Sequence, residues 1–186
     1  MNDLILSKLD AGKSSLGITP NAHGGGFPAA CLSTSVDKVG GVIRTTILVD
    51  LAQGAGSSGD ADDVIGTNDV SDAGGAYIAE LTKEVNGIPF AVEYSCIEVP
   101  AGGDPDINLN FSATSTDAMD AAVTSPTVLL NNGDNTLGES ATTAIGTAVI
   151  AGAVIALPYV YLTNGAATNA AYTAGKLVIT IYGANF

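Results

Sequence analysis

Four oxygen-bearing side chains recur at every second position in "AGGDPDINLNF": Asp104, Asp106, Asn108 and Asn110. Carboxylates and amides at that spacing open the loops that hold calcium. An EF-hand loop also needs Gly at its sixth position, for a sharp turn, and Glu at its twelfth, to chelate the ion. Counted from Asp104 those positions are Leu109 and Ser115; counted from Asp60 in "DADDVIG", the fifth and sixth are Val64 and Ile65. Neither segment is an EF-hand, and no metal or cofactor is expected. If loop carboxylates do gather a structural cation, Asp104 and Asp106, or Asp60 and Asp62, are the candidates. The alternation itself predicts a strand, with Pro105, Ile107, Leu109 and Phe111 on one face. Asp104 to Asn110 then form a stripe facing solvent or another subunit.

Other chemistry fails on missing partners. The "GKSS" at Gly12 to Ser15 lacks the glycine five residues earlier that a phosphate-binding loop requires, and Ser7 stands there instead. His23 is the only histidine, so any Ser-His-Asp or multi-histidine site would rest on it. It lies in "AHGGGF", superficially an oxyanion segment, but no G-x-S-x-G elbow supplies a nucleophile. Glu93 and Glu98 read as outward-facing residues rather than a glycosidase pair, since the chain has no Trp and 5% aromatic residues to stack a sugar. Cys31 and Cys96 are too far apart for a zinc or disulfide framework and read as buried small hydrophobes. The sequon at Asn110 to Ser112 is incidental, because the start "MNDLILSKLD" is no signal peptide. An enzyme is not expected.

Charge narrows the partners. The net charge is -13, from 19 acidic and 6 basic residues. Residues 1 to 44 hold Lys8, Lys13, Lys38 and Arg44 against Asp3, Asp10 and Asp37, a net +1, so residues 45 to 186 carry -14. An acidic chain with no basic cluster is repelled by phosphate backbones, which excludes nucleic acid as an expected partner. The apolar run "AIGTAVIAGAVIALPYVYL" has bilayer length, but its Gly, Thr and Pro content and β-branched residues make it strand material rather than a membrane span.

The elements that would carry these residues are mostly strands. Residues 1–41, rich in Gly, Ser and Pro without a sustained period, read as an extended N-terminal arm, and residues 42–186 as the body. "VIRTTILVDL" is a strand from Val42 to Leu51, and Val64 with Ile65 makes a brief one. Asn86-Gly87 between "AYIAELTKEV" and "IPFAVEYSCIEV" predicts a two-residue hairpin, with Ile88, Phe90, Val92, Tyr94 and Cys96 turned to the core. "SATSTDAMDAAV" suggests a short helix capped by Ser115 or Thr116. The last strand alternates Leu177, Ile179 and Ile181 with Val178, Thr180 and Tyr182; apolar on both faces, it is central or covered by another subunit. About eight strands with glycine and asparagine turns give an all-β, antiparallel, jelly-roll-like β-sandwich.

Several segments together carry a resemblance: "GGAYIAELTKEVNG", "CIEVPAGGDPDINL" at 96 to 109, "NNGDNTLG" at 131 to 138 and "YVYLTNGAATNAAYTAGKLVITIYG" at 159 to 183. From Thr45 to Phe186 the chain resembles virion structural proteins of tailed phages of the marine and cyanophage type, and within them the capsid decoration, or cement, proteins. The resemblance implies a non-enzymatic jelly-roll or sandwich body that binds the major capsid protein as a trimer on the capsid surface, after synthesis in the host cytoplasm. It carries over no catalytic residues. With it, residues 1–41 become the expected capsid anchor, and Lys8, Lys13, Lys38 and Arg44 the candidate capsid contacts on an acidic shell. The alternatives are a phage tail or fibre component, and a carbohydrate-binding β-module, which the absence of Trp disfavours.

Overall fold

The computed structural model describes residues 22–67, 74–130, 133–145, 150–151 and 154–184. Two antiparallel sheets make an all-β sandwich. The first has the order β1 (Leu32–Val39), β2 (Val42–Asp50), β14 (Ala174–Ala184), β6 (Ile88–Ala101) and β9 (Ser140–Ala144). The second runs β5 (Ala79–Glu80), β12 (Tyr159–Asn164), β7 (Ile107–Ser112) and β8 (Thr127–Leu130). Smaller pairings join β3 (Ala55–Ser57) to β4 (Gly66–Thr67) and β13 (Ala170–Ala171), and β10 (Ile150–Ala151) to β11 (Val154–Ile155). Among the described residues no helix is long and apolar enough to cross a membrane.

Alternation builds the core. Ile47 and Val49 of β2, Val92, Tyr94 and Cys96 of β6, and Leu177, Ile179 and Ile181 of β14 join one cluster with Ile107, Leu109 and Phe111 of β7 and with Val160 and Leu162 of β12. Burying each aliphatic or aromatic side chain contributes about 1.5–3 kcal/mol, so the twelve besides Cys96 dominate the attraction between the sheets. β14 lies between β2 and β6, the central position its two apolar faces predict. The expected inward set on β6 holds for Val92, Tyr94 and Cys96, but Phe90 is 44% exposed. The register skips a residue there, since Tyr182 pairs with Ala91 and Gly183 with Pro89; the bulge turns Phe90 outward against the Tyr182 ring, centroids 6.4 Å apart.

Four expectations are corrected. Strand structure begins at Leu32, within the stretch assigned to an arm; β1 pairs residue for residue with β2, from Leu32 with Val49 to Val39 with Val42. Its polar sequence "LSTSVDKV" carries little apolar signal because it is an edge strand with one exposed face. The two-residue hairpin turn lies there too, at Gly40-Gly41, where Gly40 takes φ +62°.

The predicted hairpin at Asn86-Gly87 is instead the end of a helical turn, α1 (Lys83–Asn86). Thr82 caps it by accepting from the Val85 N–H at 3.3 Å, the Asn86 side chain accepts from the Thr82 N–H at 2.8 Å, and Gly87, at φ +68°, donates back to the Lys83 carbonyl. The preceding strand β5 therefore joins the second sheet, with Glu80 opposite Tyr159. The helix expected after Ser115 and Thr116 is absent; the chain there is irregular, held by Asp117, which accepts from both the N–H and the hydroxyl of Thr124. The fourth correction concerns the oxygen-bearing stripe of β7 and belongs with the site.

Candidate functional site

One end of the first sheet presents an apolar tip. Val39, Val42, Ala184 and Ile88 stand in register across β1, β2, β14 and β6. Val39 is 76% and Val42 40% exposed. An apolar row left in water at the end of a well-packed sheet is a surface suited to contact. Lys38 is exposed beside it, and Arg44, one turn of the pleat inward, donates to Asp37 across the hairpin at 3.1 Å. α1 closes the same end, since the Asn86 amide donates to the Thr45 hydroxyl of β2 at 2.7 Å. Its Lys83 is exposed. Of the predicted capsid contacts, Lys38 and Arg44 lie at the same end of the hairpin, on alternate faces, opposite Ile43 and Asp37 respectively; Lys8 and Lys13 lie outside the described residues.

At the far end of the strands, about 30 Å away for a nine-residue strand, the loops are acidic. Asp60 and Asp62 come from the loop after β3, and Asp104 and Asp106 from the turn before β7; the fold brings these two segments together. The amide of Asn164 donates to the Asp60 carbonyl at 2.8 Å, the Asp62 N–H donates to the Asn164 carbonyl, and the Gly165 N–H donates to the Asp106 carbonyl at 2.7 Å. Asp104 is the organiser. Its two carboxylate oxygens accept from the N–H groups of Asp106 at 3.0 Å and Ala166 at 2.7 Å, while its carbonyl accepts the Tyr172 hydroxyl.

The oxygen-bearing stripe is therefore not a solvent face. Asp104, Asn108 and Asn110 are all buried, and every residue of β7 is. β7 is an interior strand with covered faces on both sides: Tyr161, beside it on β12, bonds the Thr114 carbonyl of the loop that follows β7, and Ser112 bonds the Thr124 carbonyl. The amide of Asn110 is satisfied inside by the Thr163 hydroxyl at 2.9 Å. Only Asp106 of the four stays partly exposed. Burial, with Asp104, Asp134 and Asp62 nearby, pushes its carboxyl above the ordinary carboxylate range. Burial likewise raises Asp63, which the Ser58 hydroxyl at 3.0 Å partly offsets.

The remaining candidates are placed apart. His23 is exposed, with Nδ1 3.0 Å from the Gly24 carbonyl oxygen. The glycines after it serve packing: Gly24 and Gly26 donate to the carbonyls of Tyr77 and Gly75, and a Cβ on Gly24 would lie 1.8 Å from the Gly75 oxygen. Glu93 accepts the Tyr182 hydroxyl at 2.9 Å, and Glu98 the Lys176 ammonium. Cys31 and Cys96 are free and buried. Among the described residues no three His, Cys, Asp or Glu side chains form a ready metal group. Neither a protein-family model, nor a curated protein, nor a solved structure matches the chain.

Sequence reasoning missed Gly165. A Cβ there would fall 2.1 Å from the carboxyl carbon of Asp106, so the glycine is what lets that carboxylate lie over β12. Asn164-Gly165 reads as a turn signal, and nothing local to it reports a partner sixty residues away.

Proposed function

We propose that this chain is a non-enzymatic structural protein of a tailed-phage virion, which decorates and stabilises the outside of the head by binding the major capsid protein as a trimer. The observation that carries the reading is the apolar row Val39, Val42, Ala184 and Ile88 with Lys38 and Arg44 beside it. It is a near-neutral contact surface at one end of an otherwise acidic body, opposite loops rich in aspartate. Docked by that end, the protein places apolar surface and its bases against an acidic shell and turns its charge to water. Segments from Thr45 to Phe186 that resemble decoration proteins support the same assignment.

The test is occupancy on expanded heads stripped of the protein, read by co-sedimentation. The full-length protein binds saturably. A Val39→Asp, Val42→Asp double variant loses at least about tenfold in affinity, the equivalent of about 1.4 kcal/mol, whereas Asp60→Asn at the opposite end binds as the parent does. Equal binding by the double variant would remove the tip from the interface, and no binding by the parent would remove the function. Light scattering at micromolar concentration that shows only monomer would remove the trimer.

A further inference from the structure

Three buried oxygens at the acidic end accept no hydrogen bond: Oδ1 of Asp106, Oδ1 of Asn108 and Oδ1 of Asn164. Asn164, paired with Ile107, leaves the other face of the sheet, so the first two stand together. Buried acceptors in folded proteins are almost always paired, and each orphan costs about 1–3 kcal/mol. Asn108 is 1% exposed. It stands two residues beyond Asp106 in an extended chain, so both side chains leave the same face of the strand. The obvious neighbours are already engaged. Asp104 spends both oxygens on backbone N–H groups, and Thr163, opposite Asn108, receives the Asn110 amide.

Around these oxygens the charge is of one sign. Asp134 bridges to the Asp106 backbone, Asp62 approaches from the loop after β3, and no ion pair among the described residues reaches Asp62, Asp104, Asp106 or Asp134. Gly165 keeps the space over β12 open for the Asp106 carboxylate. A bridging water would donate to the orphaned oxygens and leave the repulsion in place. A hard divalent cation satisfies both, and an all-oxygen set of carboxylate, amide and carbonyl ligands suits calcium rather than zinc or the smaller magnesium.

We propose that Asp106 and Asn108 ligate a calcium ion through their Oδ1 atoms, with Asp62 and Asp134 supplying further negative charge at the rim. The site is a mixed one, with backbone carbonyls and water completing it, because among the described residues no three acidic side chains stand together beforehand. Its effect is to tie the loop after β3, the turn before β7 and the Asp134 turn into one unit. This inference rests on the far end of the molecule and is independent of the capsid assignment.

The experiment is calcium titration of full-length protein freed of metal by chelator, by calorimetry and thermal unfolding, with magnesium as the comparison. Calcium binds at one saturable site with Kd on the order of 10⁻⁴ to 10⁻³ M, the range of weak structural modules, and raises the unfolding temperature; magnesium does so at least about tenfold more weakly. Asp106→Asn abolishes the calcium-dependent rise. Asp134→Asn, at an exposed position that leaves folding intact, weakens binding by about threefold to tenfold. No saturable heat at 10 mM calcium, on the order of ten times the expected Kd, would overturn the proposal. So would calcium stabilisation undiminished in Asp134→Asn, which remains decisive if Asp106→Asn does not fold.

Discussion

Lys176 of β14 sits opposite Glu98 of β6 and is close to Asp50 of β2, with ammonium-to-carboxylate distances of 2.5 and 3.9 Å. The Lys176 hydrogen bond holds Glu98 below the ordinary carboxylate range, and Glu98 holds Lys176 above the ordinary lysine range. A lowered acid stabilises the fold above its unfolded pKa and loses that contribution as pH falls through the folded value. A raised base does the reverse at the alkaline side. Lys176→Met therefore lowers the urea midpoint at pH 7, and the difference from the parent narrows as pH falls through the lowered Glu98 pKa; a difference unchanged by acidification would deny the pair. The thiols make a second test. Burial pushes Cys31 up to about 11 and raises Cys96 as well. Both therefore stay thiols at pH 8, and a chromogenic disulfide reagent labels neither in native protein and both after unfolding.

Among the elements, the packing of Gly75 is the most exacting, with its carbonyl against Gly24 and its own α-carbon against Ser115. A Cβ on Gly75 would lie 1.7 Å from the Ser115 carbonyl oxygen, whereas one on Gly25 meets nothing within 4 Å. Gly75→Ala is expected to cost about 3 kcal/mol or more in urea unfolding, and Gly25→Ala close to nothing. Equal effects would dispose of the contact. How legible each element was follows from where its signal lies. β2 and β14 alternate and β12 is a continuous buried run, and all three lie where their sequences put them. β1 was hidden because an edge strand with a polar face carries half the apolar signal. Asn86-Gly87 offered a turn chemistry that a hairpin and a helix end share, and the Thr82 cap decides between them. The acidic site was half legible: Asp60, Asp62, Asp104 and Asp106 were visible as residues, but their convergence through Asn164 and Gly165 depends on pairing between distant strands. β1 also changes how the N-terminal segment is tested. Removing residues 1–41 deletes a sheet strand and the Gly24–Phe27 packing, so a truncation that isolates Lys8 and Lys13 must stop before Ala22, whose carbonyl accepts from the Glu80 N–H.

At the scale of the whole molecule the charge is divided along the strands. The tip end holds Lys38, Arg44 and Lys83 against Asp37, Glu84 and Glu93, a local balance near zero, while Asp60, Asp62, Asp63, Asp104, Asp106, Asp120 and Asp134 crowd the other end. Such a body orients in the field of a charged surface before contact, and its association rate falls as salt screens that field. In the proposed capsid decoration, the end with least repulsion, where Val39 and Val42 are exposed, is the one that docks. The measurement that tests this most directly is an electron-microscopy reconstruction of the virion carrying the chain. Three-fold density is expected on the outside of the head, with the Gly40-Gly41 hairpin against the major capsid protein and the Asp60 and Asp106 loops pointing to solvent. Density confined to the tail, or head density with the acidic loops against the shell, would contradict it.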